Sequence, residues 1–118
     1  MGLLGREAIL AAEDRPFRDV EVPEWGGTVR IRSISGSDRD QFEASLLAAR
    51  KRGADTAPNV RASFAAYCIV DEAGERLFSE TDIDALGEKS AAALERVFAA
   101  IQELNALSEA DVKELEKN

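Results

Sequence analysis

The sequence predicts an α+β fold: a mainly helical domain of about four to five helices with an N-terminal β-hairpin. Three observations predict it. Val20 and Val22, then Val29 and Ile31, alternate with charged residues on either side of a Gly26-Gly27 turn, the pattern of two half-buried strands. Leu94, Val97, Phe98, Ile101 and Leu104 recur at helical spacing, which places them on one face of a helix. Ser37 with Asp40, Ser79 with Asp82 and Ser108 with Asp111 each set a serine three residues ahead of an acid, a relative of the helix-start capping box. At 118 residues the chain reads as a single domain, 1–118, with a hairpin region over 17–34 and a helical region over 37–118.

The elements follow in order. Residues 5–13 read as a short helix whose largest apolar residues are Ile9 and Leu10, ended by Pro16. In the hairpin, matching both faces places Val22 opposite Val29 and Val20 opposite Ile31, with Glu21 opposite Arg30 and Asp19 opposite Arg32. Pro23 to Gly27 supplies the turn. A helix started by Ser37 runs to about Arg52, buries Phe42, Leu46 and Ala49, and is closed by Gly53. Gly53 to Pro58 is a loop. The next helix spans about 59–69 with a stripe of Val60, Phe64, Tyr67 and Cys68. Asp71 to Gly74 turn the chain before Leu77 and Phe78. A short helix runs from Ser79 to Gly87, the long periodic helix follows, and a terminal helix carries Val112 and Leu115.

Composition narrows function. The chain has no histidine and a single cysteine, Cys68, which removes the Ser-His-Asp triad, His-ligated metal sites and Cys clusters. Cys68 ends an apolar stripe and reads as a buried small hydrophobe. Glu80, Asp82, Asp84 and Glu88 lack the spacing of a calcium loop, and Gly26-Gly27 lacks that of a phosphate loop. No catalytic residue, cofactor site or metal site is expected, and the reading is a non-enzymatic protein. Residues 1–61 carry ten basic and ten acidic side chains, whereas 62–118 carry five and thirteen, so the second half holds the entire net charge of −8. That balance argues against nucleic-acid binding and is compatible with a basic partner or with self-association. The N-terminal residues lack the pattern of a signal peptide and no apolar run approaches membrane-spanning length, so a cytoplasmic protein without membrane contact is expected. Arg50-Lys51-Arg52 suits a helix C-terminus. Trp25 sits at the hairpin tip, where it serves either as core or as an interface anchor.

The run from Val20 to Arg32, VEVPEWGGTVRIR, together with Ser37 to Glu43, Val70 to Phe78 and Leu86 to Ser90, resembles the tail assembly chaperones of long-tailed, siphovirus-type bacteriophages and prophages. The resemblance covers the chain from about residue 6 to its end. It implies a non-enzymatic factor in the infected host's cytoplasm that binds the tape measure protein, keeps it soluble, and helps tail tube protein subunits polymerise around it. It further implies absence from the mature virion and, in many members, a second longer product made by frameshifting. Glu116-Lys117-Asn118 permit the slippery heptamer A-AAA-AAC. A structural virion component, such as a head–tail connector or tail-completion protein, is the alternative. No family motif assigns binding residues. Among these residues, Trp25, Val112 and Leu115 are the candidate partner contacts, the last two because they form an apolar pair on a segment too short to be a stable helix alone.

Overall fold

The computed structural model describes residues 2–53 and 59–106. Helix α1 (Arg6–Ala11) leads to strand β1 (Phe17–Val22). A 3₁₀ turn at Pro23–Trp25 connects β1 to β2 (Gly27–Arg32). Helices α2 (Gly36–Lys51) and α3 (Val60–Cys68) follow, then strand β3 (Ile69–Val70), a second 3₁₀ turn at Glu80–Asp82, and helices α4 (Ile83–Gly87) and α5 (Ala91–Leu104). The strands form one antiparallel sheet in the order β1-β2-β3. The architecture is α+β and mainly helical, as the sequence predicts.

The hairpin forms with the expected inner face, Val20, Val22 and Ile31 being buried and Val29 packing against the core. Its register differs from expectation by two residues. Val20 pairs with Val29, Val22 with Gly27, Asp19 with Arg30 and Glu21 with Thr28. The reason is the turn. Pro23 fixes the first residue of a 3₁₀ turn, and Gly26 closes it at φ 73°, a left-handed conformation that glycine adopts without a Cβ penalty. The connection therefore needs only Pro23 to Gly26, and Thr28 joins the strand. A slip of two keeps every side chain on its face, so matching the faces cannot tell the two registers apart. In the observed register Arg30 grips Asp19 with two hydrogen bonds of 2.7 and 3.2 Å. Arg32 instead lies over the Phe17 ring at 4.8 Å.

Helix α2 starts two residues before the expected point. Ser35, with extended backbone, is the N-cap and accepts a 3.1 Å hydrogen bond from the Asp38 amide. The Ser-x-x-Asp spacing occurs twice here, at Ser35/Asp38 and Ser37/Asp40. The chain leaves the sheet early enough to use the first, because the Ile34 amide is held by Asn105 Oδ1 at 2.9 Å. Phe42, Leu46 and Ala49 form the buried face, and Gly53 follows the helix end at φ 85°.

Helix α3 is the centre of the core. It is buried at every position except Arg61, the signature of a helix packed on all sides. Phe64 contacts Phe42 of α2 (centroids 4.9 Å apart) and Phe98 of α5 (5.7 Å), and Tyr67 meets Phe42 edge-on at 6.4 Å. This aromatic chain ties three helices together. The helix ends at Cys68, earlier than expected, and the next two residues pair with β2: Ile69 with Ile31 and Val70 with Arg30. Two β-branched residues are too short a run to signal a strand on their own, which is why the third strand escapes sequence reading. Arg76 locks this junction. Its guanidinium lies 4.8 Å from the Tyr67 ring centroid, donates to the Ala66 carbonyl at 3.2 Å and meets Asp38 of α2 at 3.5 Å.

The capping box at Ser79 and the buried face of the long helix match expectation. Ser79 and Asp82 form a reciprocal capping box at the second 3₁₀ turn. Helix α5, capped by Ser90, buries Ala93, Leu94, Val97, Phe98 and Ile101, and Leu104 packs at the core margin. It covers the inner face of β1 and β2 and runs beside α3. The expected terminal helix with Val112 and Leu115 lies outside the described residues.

Candidate functional site

Chemistry at a catalytic centre needs clustered reactive groups. Among the described residues no group of three or more His, Cys, Asp or Glu side chains could hold a metal ion. Cys68 is completely buried, and desolvation pushes its thiol up to about 12, which keeps it protonated and unreactive at neutral pH. The described helices include none long and apolar enough to cross a membrane. What the surface does offer is apolar side chains with nothing on them.

The hairpin tip is one such place. Trp25 is half-buried and packs against the core, with its indole nitrogen enclosed and without a hydrogen-bond acceptor among the described residues. The tip is clamped by Arg96 of α5, which donates to both carboxylate oxygens of Glu24 at 3.2 and 3.1 Å. Those hydrogen bonds hold the Glu24 carboxyl below its ordinary range and raise the Arg96 guanidinium. Trp25 thus serves partly as a core wedge and keeps part of its ring in solvent.

The N-terminal arm is the larger place. Every residue from Gly2 to Asp14 is exposed, including Leu3, Leu4, Ile9 (56%) and Leu10 (68%). No hydrogen bond or ion pair joins residues 2–14 to the rest of the described chain. The arm begins where Arg15 donates to the Ser33 carbonyl at 2.9 Å and the Ser33 amide donates to the Pro16 carbonyl at 3.0 Å. Two apolar doublets, Leu3-Leu4 and Ile9-Leu10, were the available signal. Sequence reading found the helix but gave these residues no role. Phe17, Leu47 and Leu77 are also exposed. Val112 and Leu115 lie outside the described residues.

The family model for the phage tail assembly chaperone matches residues 5–118. The chain belongs to that family. Its members are non-enzymatic assembly factors. The fold of this chaperone is similar to a solved structure, that of the bacteriophage HK97 tail assembly chaperone, at a TM-score of 0.60 and 16% sequence identity, covering 87% of this chain and 95% of that one. No curated protein sequence matches the chain.

Proposed function

We propose that this tail assembly chaperone binds the tape measure protein, holds it soluble in the host cytoplasm, and promotes polymerisation of the tail tube protein around it without entering the mature virion. The observation that supports the reading most is the match of nearly the whole chain, residues 5–118, to the family. The exposed apolar side chains of the arm and the half-exposed Trp25 fit a protein that shields the apolar surface of an elongated client. Trp25, Val112 and Leu115 are the proposed client contacts, and residues 1–118 act as one domain. A second, longer product would arise from frameshifting over the codons of Glu116-Lys117-Asn118.

Co-expression tests the client. The tape measure protein of the same genome should remain in the soluble fraction with this chain and precipitate without it. The double substitution Val112→Ser with Leu115→Ser should weaken that protection while the domain stays folded. A tape measure protein equally soluble alone would remove the reading, as would recovery of the chain in purified virions in stoichiometric amounts. The gene sequence decides the frameshift: the heptamer A-AAA-AAC followed by an overlapping −1 reading frame is expected, and its absence leaves a single product.

A further inference from the structure

We infer that the free edge of β1 is a docking site for an extended segment of another protein, one that alternates apolar and basic residues and joins the sheet as a further strand. The sheet runs β1-β2-β3, so β1 has a neighbour on one side only. Its pairing shows which backbone groups that leaves over. The Ser33 amide donates to the Pro16 carbonyl at 3.0 Å, which makes Pro16 and Ser33 a hydrogen-bonded pair of the antiparallel ladder. Such pairs alternate along the strands. With Arg18 opposite Ile31 and Val20 opposite Val29, it is Arg18, Val20 and Val22 that bond to β2. The N–H and C=O groups of Phe17, Asp19 and Glu21 point the other way. These residues are exposed, and no backbone group among the described residues pairs with that side of them. An open row of this kind is a template for an incoming strand. Pro16 and Pro23 at its two ends confine the contact to β1 itself.

The side chains say what the incoming strand is. On the outer face of the sheet Asp19 is held by Arg30. Glu21 stands opposite Thr28 and has no ion-pair partner among the described residues. A cation on the added strand would balance it. On the inner face α5 runs beneath β1, pinned at one end by Arg18 with Glu103 and at the other by Glu24 with Arg96. Between those ion pairs the helix carries the small Ala99 and Ala100, both reached by solvent. Their methyl groups leave room for an apolar side chain beside β1. The strand that fits therefore sets basic residues outward and apolar residues inward, at the period of two that a strand imposes.

A second copy of β1 is a poor occupant. Antiparallel pairing of two such edges about their middle sets Asp19 against Asp19 or against Glu21, and like charges directly opposite each other are destabilising. Charge thus selects a different polypeptide. The test needs no tape measure protein, so this reading and the proposed function fail separately.

Amide exchange of the full chain, followed by NMR, tests the edge before any ligand is added. The amides of Phe17, Asp19 and Glu21 should exchange fast, while those of Arg18, Val20 and Val22 are protected. A capped peptide as long as β1 that alternates valine and arginine should then slow the first set and leave the second unchanged. A peptide alternating valine and glutamate should do neither. Glu21→Lys should weaken binding of the arginine peptide about threefold. Glu21→Pro removes an edge donor without costing a bond to β2 and should weaken it about tenfold. Circular dichroism checks the fold of both variants. Protection of the first set in the free chain would overturn the inference: if it fades on dilution the edge belongs to a second copy, and if it persists the chain already covers the edge itself. An arginine peptide that leaves those amides unchanged, or that binds both variants as well as the wild type, would overturn it too.

Discussion

Helices α1 and α3 are both short, alanine-containing and largely apolar, yet one has every residue in solvent and the other has one. Propensity does not distinguish them, because neither is long enough to be stable by itself. The difference lies in large side chains that meet partners. Phe64 and Tyr67 of α3 find Phe42 and Phe98 from two other helices. Ile9 and Leu10 of α1 find no buried partner among the described residues. Apolar composition alone therefore does not decide whether a short helix is buried; tertiary neighbours do.

The sharpest way to break this comparison is to remove the aromatic chain. Phe64→Ala should destabilise the domain by about 3–5 kcal/mol, read as a lower denaturation midpoint, since Phe64 is completely buried. A loss below about 1 kcal/mol would show that α3 is not held as described. Next comes the hairpin turn. Gly26→Ala forces a Cβ into a left-handed conformation and should cost about 1–2 kcal/mol. Gly27 does not have positive φ, so Gly27→Ala should cost clearly less. Equal losses at both positions would argue against the observed register.

A smaller effect concerns the clamp at the hairpin tip. The Glu24 carboxyl titrates below its ordinary 4.5 because it accepts hydrogen bonds from Arg96. A carboxylate with a depressed folded pKa contributes stability that is fully present above the unfolded value and is lost as pH falls through the folded one. The clamp should thus hold at neutral pH and release in acid. Carboxyl-carbon NMR titration should show Glu24 moving towards 4.5 in Arg96→Gln. The smallest effect is at the arm. Ile9→Ser with Leu10→Ser should leave the unfolding free energy within about 0.5 kcal/mol, measured by denaturant titration. A large loss there would mean that α1 packs on the body after all.

Legibility in the sequence followed the same division. The buried faces of α2 and α5 were readable because Phe42, Leu46, Ala49 and the Leu94–Ile101 stripe repeat at the helical period. The Ser79–Asp82 box was readable because its chemistry is local. Features that depend on choice among equivalents were not. Two Ser-x-x-Asp pairs compete to start α2, and two hairpin registers satisfy the same faces. The burial of α3 on all sides was hidden too, because a stripe accounts for one face and the small Ala62, Ser63, Ala65 and Ala66 fill the others. At the candidate site, Trp25 was visible as a lone aromatic at a tip. The arm's doublets were visible, but whether anything covers them is a tertiary fact.

The junction between α3 and β3 has a consequence of its own. Cys68 ends the helix and Ile69 begins the strand, with no residue between them to act as a joint. Beyond it the Leu77 amide donates to the Ile69 carbonyl at 3.1 Å, and Val70 bridges to Arg76, whose guanidinium reaches back to Ala66. The helix end, the strand and the turn after it therefore form one continuously hydrogen-bonded piece. Its amides should exchange with solvent in one cooperative step, so that those of Ile69 and Val70 are protected as long as those of Phe64 to Cys68.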